Sequence, residues 1–289
     1  MTTNVSVGII APLKTTSITT LFGFVFWLLA MPVAAEQVIE EIVVTAARRA
    51  VTADALSQAS TIVVPGDSGA EALLTETLRN EVGVFLQQTT PGQGAPIIRG
   101  LRGSAVLHLV DGMRLNNAIF RSAPTQYLAL VPVSATDRIE VLRGGSASLY
   151  GTDAVAGVVN VVTKMPRLVD RGSGTGGFVD LRLDAGSQTR VVMAGLEHGT
   201  ARLAARFSAE YHDIGDRRIG GGERLTPSDY RAIGMSGAVA GRLANQWRWS
   251  FGAQFMDQPS TPRVDELVAG FEQTTASSSE FFFAPNRRS

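Results

Sequence analysis

Cysteine is absent from the 289 residues, which removes disulfide scaffolds, thiol catalysis and cysteine-held zinc or iron–sulfur centres. An excess of one charge is also missing, since 26 Lys+Arg stand against 26 Asp+Glu. A chain built to hold nucleic acid carries a basic excess or stripe, so no nucleic-acid partner is expected. There are three histidines, and His198, His212 and His108 form no visible cluster. His108 lies between Leu107 and Leu109, where a packed imidazole is favoured over a haem or metal ligand. GxSxG, HExxH and P-loop signatures are lacking, and Arg143–Gly151, though glycine-rich, does not have the GxxxxGK[ST] spacing. No enzyme activity, catalytic residue, cofactor or metal site is therefore assigned. A long apolar run is missing too. The segment Leu21–Met31 (LFGFVFWLLAM) falls well short of the roughly 20 residues that span a bilayer as a helix.

What is present begins with an address. The apolar run is followed by Pro32 and by Val33 and Ala35 at the −3 and −1 positions of a cleavage site, the layout of a secretory signal peptide over residues 1–35. Glu40–Ala46 comes next, with three consecutive β-branched residues that favour an extended chain. Ala47–Ser60 has little periodicity and reads as a linker. An extended, tethered segment suits capture by a partner's sheet edge, and an ordinary first strand is the alternative. Ser68 and Glu71 have capping-box spacing ahead of Leu74, Leu78 and Val82, which predicts a helix over about 69–82. Strands are expected at Ala95–Arg99, Ala105–Val110, Arg138–Leu142 and Val155–Thr163, with a tight turn at Asp111-Gly112. Polar loops, Thr89–Gly94 and Leu115–Tyr127, separate them.

Four of these stretches resemble, in order and spacing, the plug domain of TonB-dependent outer-membrane receptors. They are Pro96–Gly100 (PIIRG), Val106–Arg114 (VLHLVDGMR), Arg138–Gly151 (RIEVLRGGSASLYG) and Val155–Lys164 (VAGVVNVVTK). Two positions depart from the family's habit: Gly145 stands where proline is usual, and Ala156 where a second glycine is common. The resemblance implies that Glu41, Ile42, Val43, Val44, Thr45 and Ala46 are the TonB box gripped by the energy-transducing TonB complex.

Beyond residue 170 the period becomes two. Gly172–Gly177 reads as a flexible joint, after which apolar and polar residues alternate over 178–185, 188–198, 201–212, 231–243 and 246–257. Short connections after 198 and 243 alternate with a long polar one from Asp213 to Tyr230, the pattern of a transmembrane β-barrel, although the connection after 185 is short. The fold class expected is an α+β plug followed by the first antiparallel strands of an incomplete barrel. Its domains are 1–35 signal peptide, 36–60 TonB box and linker, 61–170 plug and 171–289 barrel strands. Plugged barrels of this kind use about 22 strands, and five are counted here, with a sixth begun near Glu272–Phe283. The chain also ends Asn-Arg-Arg-Ser rather than on an aromatic. An N-terminal portion of a longer receptor is the expectation.

The resemblance implies TonB-driven uptake across the outer membrane of a small ligand such as a ferric siderophore or haem. Cobalamin, copper or another small nutrient is the alternative cargo, and a truncated, non-transporting remnant the alternative role. Outer-membrane lipid would surround the strands. Asn117, Phe120, Arg121 and Gln126 are the candidate ligand contacts. Arg99, Glu140 and Arg143 are candidates for plug–barrel contact, because the charged residues of the alternating strands should face the lumen.

Overall fold

The computed structural model describes residues 3–7, 43–44, 51–52, 59–66, 73–88, 91–115, 128–145, 147–218, 220–243, 247–259, 261–262, 282–283 and 286–288. Short apolar runs broken by turns make the N-terminal domain. Its strands are β1 (Ala59–Val63), β2 (Val84–Gln87), β3 (Ala95–Ile98), β4 (Val106–Val110), β5 (Met113–Arg114), β6 (Thr136–Arg143) and β7 (Gly157–Thr163). Five of them form one sheet in the order β1-β6-β7-β4-β5, and β2 and β3 pair separately as a hairpin. All pairings in the five-stranded sheet are antiparallel except β4 with β7. The β4–β5 turn is Asp111-Gly112, with φ of 50° and 78°, the left-handed pair that a tight hairpin demands. Asp111 then fastens the turn to β7, accepting from the Thr163 backbone N–H at 2.8 Å and hydroxyl at 2.7 Å.

The expected helix over 69–82 is not what forms in its described part. Only Glu76–Leu78 is helical, as a single 3₁₀ turn. Leu73, Leu74 and Leu78 are all buried, as are Thr75 and Thr77. Burial of neighbours on both sides suits a tight, wrapped segment with i→i+3 bonds (Glu76 to Leu73, Arg79 to Glu76) better than a one-faced helix. The expected linker also gives way to order at its end, because Ala59 and Ser60 already belong to β1.

The larger sheet contains β8 (Ser173–Asp184), β9 (Thr189–Thr200), β10 (Leu203–Ile214), β11 (Tyr230–Leu243) and β12 (Trp247–Gln258), each paired antiparallel with the next. Thr3–Val7 pairs with the outer edge of β8, and Asn286–Arg288 with β12. Among the described residues the sheet therefore has seven strands in linear order and does not close. Gly172–Gly177 is not a joint: Ser173–Gly177 pairs residue by residue with Leu196–Thr200. A Cβ at Gly177 would sit 2.9 Å from the Gly195 carbonyl oxygen, so glycine here serves close strand approach. The added strand after β12 is Asn286–Arg288 rather than Glu272–Phe283, of which only Phe282–Phe283 is described, paired with Thr261–Pro262.

The alternation has its physical reading in burial. Val191, Met193, Ala204, Ser208, Glu210, His212, Tyr230, Ala232 and Met256 point inward and are buried. Leu196, Phe207, Tyr211, Ile233, Trp249 and Phe251, on the other face, are exposed, Phe251 by 69%. Inward residues share one apolar core with Leu74, Ile98, Val106, Ile139 and Val161 of the N-terminal domain. An apolar outer band on antiparallel strands of this length is a surface made for lipid.

Candidate functional site

The N-terminal domain is locked to the large sheet through one carboxylate. Period-two alternation puts Ser208, Glu210 and His212 on the inward face of β10. Glu210 accepts the backbone N–H of Val133 at 3.2 Å and of Ser134 at 2.7 Å, and its Oε1 lies 2.9 Å from His212 Nε2. Those amides are free to donate because Pro132–Thr136 is a turn, closed by Thr136 N–H and hydroxyl bonds to Val133 and Pro132 carbonyls. Two successive N–H groups in a turn form a nest for an anion. Ser208 extends the contact with hydroxyl bonds to Ser134 at 3.1 Å and Ser236 at 2.7 Å. Room for Glu210 comes from its cross-strand partner Gly234, where a Cβ would meet Glu210 Cγ at 2.7 Å. A carboxylate buried this fully is tolerable only when its oxygens are bonded, and here three donors do that.

A second anchor lies where the N-terminal domain runs into the sheet. Lys164 Nζ and the Arg206 guanidinium stand 5.9 Å and 5.6 Å from the Phe178 ring centroid, within cation–π range. Burial pulls the Lys164 ammonium below its ordinary range, and the nearby Arg206 charge lowers it further. Arg206 is in turn paired with Glu197 at 3.1 Å.

At the other end of the strands, Tyr230 is fully buried and its hydroxyl accepts from Gln258 Nε2 at 2.8 Å. It packs on Gly92, where a Cβ would fall 2.3 Å from Tyr230 Cε2 and 3.0 Å from Gln258 Nε2. Gly92→Ala is expected to destabilise the fold by about 1–3 kcal/mol, the cost of overpacking a filled site. Tyr230→Ala should suppress that penalty in a double-mutant cycle read by thermal unfolding. Additive losses would show that the two do not touch.

The connection from β10 to β11 is organised by Asp216, whose carboxylate accepts from the Ser228 N–H at 2.6 Å and the Thr226 hydroxyl at 2.9 Å. Its carbonyl accepts from Arg224 at 3.1 Å. This holds Arg217 over the 3₁₀ turn of the N-terminal domain. Burial lowers the Arg217 pKa, Glu76 opposes the shift and Arg79 adds to it. Arg79 itself donates to Gln88 at 2.7 Å. Arg79, Arg217, Arg218 and Arg224 thus meet at this mouth of the sheet together with Glu76, Asp216, Glu223 and Asp229, and Arg79 pairs with Glu76 at 3.6 Å.

The residues singled out from sequence fare unevenly. Asn117, Phe120, Arg121 and Gln126 lie outside the described residues, as do Glu41, Ile42, Thr45 and Ala46. Val43 and Val44 are extended and pair antiparallel with Thr52 and Val51. Arg143, among the described residues, bonds within its own domain, to Glu81 at 2.9 Å, the Val82 carbonyl and the Thr61 hydroxyl. Glu140 is fully buried beside Arg138 at 2.8 Å and Asn160 at 3.3 Å, also in its own domain. Arg99 is exposed at a positive φ of 53°, with its guanidinium against Gly144. The long-range contacts that bind domain to sheet include instead those of Glu210, Ser208 and Tyr230. Their only sequence signal is a polar or aromatic residue on the inward parity of a strand. His108 is buried in β4, and no group of three or more His, Asp or Glu among the described residues could hold a metal ion.

Residues 45–158 match the family described as TonB-dependent Receptor Plug Domain. A vitamin B12 transporter of Vibrio vulnificus is 35% identical over 156 residues, which is 51% of this chain and 24% of that protein. A rhizobactin receptor of Rhizobium meliloti is 28% identical over 235 residues, covering 76% of this chain and 31% of the relative. Among solved structures, the ferric enterobactin receptor of Pseudomonas aeruginosa superposes with a TM-score of 0.55 at 22% identity, over 71% of this chain and 34% of that one. The chain thus spans about a quarter to a third of the length of these relatives.

Proposed function

We propose, from the premise that this chain is a TonB-dependent receptor in its plug domain and in the barrel strands that follow, that it serves uptake of an anionic ferric chelate across the outer membrane. The plug is the domain ending near residue 170, and the large sheet is part of the barrel wall. The feature that supports the choice of ligand is the set of arginines at the mouth, Arg79 on the plug and Arg217, Arg218 and Arg224 on the adjoining loop. Ferric complexes of catecholate or carboxylate chelators bear net negative charge, and arginine forks match their oxygens. The signal segment would deliver the protein to the envelope. The energy-transducing partner would grip Glu41–Ala46.

Kinship with a vitamin B12 transporter favours cobalamin as the second reading. Charge separates the two. Replacing Arg79 and Arg217 together by Ala in the intact gene's product is expected to weaken binding of an anionic ferric chelate about 10-fold or more, taking about 1 kcal/mol or more for each charged hydrogen-bonding group lost. The loss should shrink as salt is raised, while any binding of uncharged cyanocobalamin should stay unchanged. Equilibrium titration of both ligands against both proteins decides it. Cobalamin binding with no affinity for any ferric chelate would sink the first reading.

A further inference from the structure

We propose that the inner face of β11–β12, below Glu210, is the lane by which the anionic ferric chelate passes the plug toward the periplasm. Lys164 and Arg206 form its upper station, and Arg242 and Arg248 its exit. The inference rests on the ligand reading above and goes beyond it by assigning residues that act after the mouth.

Register orders the inward residues in rows that run from the long connection toward the short turns. The row Glu210, Gly234, Met256 is buried beneath the plug. Two rows further on, Arg206 stands opposite Ala238 and Ala238 opposite Gly252, and here Ala238 is half-buried and Gly252 exposed. The described part of the plug therefore draws away from the wall below Glu210. Between the two lies a cavity of about 480 Å³, with Ser236, Ala238 and Gly252 of the wall facing Thr163, Lys164 and Met165 of the plug. Two small side chains and a glycine on the wall make the room.

Lys164, Arg206 and Arg288 line this cavity, and Asp111 is the acid among its lining residues. Asp111 is held by Thr163. Asp137 and Glu210 act on Lys164 from nearby, but Asp137 pairs with Arg138 at 3.0 Å and Glu210 is bonded to the plug amides and His212. Arg288 donates to the Leu130 carbonyl at 3.3 Å. Lys164 forms no salt bridge among the described residues. Arg206 gives one arm to Glu197, yet its Nε–H, like Gln254 Oε1, is buried with no hydrogen-bond partner among the described residues. Buried polar groups without protein partners call for a guest, water or ligand. Past Ala240 and Ser250 on the same inward face, Arg242 stands directly opposite Arg248. The Arg242 N–H donates to the Arg202 carbonyl at 2.9 Å. None of these three guanidinium groups is in a salt bridge with a described residue. Like charges directly opposite each other destabilise a sheet, and an anion passing between them relieves that repulsion. From the Ala238–Gly252 row to the arginine pair is four residues, about 14 Å at 3.4 Å each. Short turns lie at this end of the strands, which makes it the periplasmic one.

The test is transport by the intact gene's product, with radioiron-labelled ferric citrate and a ferric tris-catecholate as probes. Binding to whole cells in the cold reports the mouth, and uptake per bound ligand on warming reports the lane. Arg242→Gln with Arg248→Gln should leave binding within about two-fold and slow uptake about ten-fold, because a cleft lined by one sign of charge raises the local concentration of its counter-ion at least that much. Arg242→Lys with Arg248→Lys keeps the charge and should restore uptake. Lys164→Gln should likewise slow uptake with binding unchanged. Gly252→Leu, whose Cβ would start 3.7 Å from Met165 Cε, narrows the lane and should slow uptake of either probe. Wild-type uptake in both glutamine variants, or a loss in the lysine variant equal to that in the glutamine one, would overturn the lane and leave the ligand reading standing. If neither ferric probe binds at the mouth, the ligand reading falls first and the lane with it.

Discussion

Deleting Ile42–Thr45 from the intact gene's product is expected to abolish energy-dependent uptake, a fall to background, while ligand affinity at the outer mouth stays within about two-fold. The four residues lie far along the chain from the mouth arginines. Among the described residues, Val43 and Val44 pair in a two-residue ladder with Val51 and Thr52, and an isolated ladder that short is marginal in water. A partner offering a longer strand would replace it, with main-chain hydrogen bonds supplying affinity. The substitution pattern follows from that. Val43→Pro, which removes a backbone N–H and stiffens φ, should resemble the deletion, whereas Val43→Ile should be silent. Transport of radiolabelled ligand into cells, beside binding to whole cells at low temperature, separates the two readouts. Normal uptake by the deletion variant would refute the box assignment.

The second large effect concerns the lock between plug and wall. Glu210→Ala removes the acceptor of two plug amides and the partner of His212, none of which reaches water. Each orphaned buried group costs about 1–3 kcal/mol, so a loss of about 3–5 kcal/mol is expected from the plug–wall contact, with the empty volume adding to it. Glu210→Gln keeps one oxygen but turns an NH₂ toward a donor, and should fall between. The readout is plug retention: protease sensitivity of the plug in outer-membrane fractions, and entry into cells of an antibiotic too large for ordinary porins. Arg231→Ala is the control. It breaks an exposed pair with Asp213 at 3.2 Å, three strand positions from Gly234, the residue opposite Glu210, and should leave the plug seated. A Glu210→Ala protein as tight and as protease-resistant as wild type would show that the apolar core alone holds the plug.

Why Glu210 escapes sequence reasoning while the strand bearing it does not is a matter of distance. Alternation is local: Ala205, Phe207, Ala209 and Tyr211 against Arg206, Ser208, Glu210 and His212 announce two faces, and the structure puts the polar set inside. The partner of Glu210, however, is an amide 76 residues away, and the space it fills exists because Gly234 falls opposite it in register. Neither fact has a local signature. Arg143 shows the same limit from the other side. Its charge suggested a contact with the charged residues of the wall, yet it turns back on residues 61–82 earlier in the chain. Leucines spaced by four at Leu74 and Leu78 implied a helix, but the burial of Leu73 next to Leu74 permits only a tighter wrap. Gly172–Gly177 was read as slack because glycine lacks a side chain, and it is ordered because its neighbours across the ladder need that absence.

The position of β1 has a mechanical consequence. The strand that the tether leads into is an edge strand with a single neighbour, and five residue pairs, Ala59–Arg143 through Val63–Ile139, hold it. On the proposed reading, a pull on the box would enter at the Ala59 end. Drawn along the strand axis, the ladder resists in shear and its pairs share the load. Drawn sideways, it opens like a zipper, one pair at a time, and the first pair stands beside the Arg143 side chain that holds Thr61. The direction of such a pull would therefore set how much force the plug withstands before it yields, with the Arg143–Thr61 bond at the loaded end.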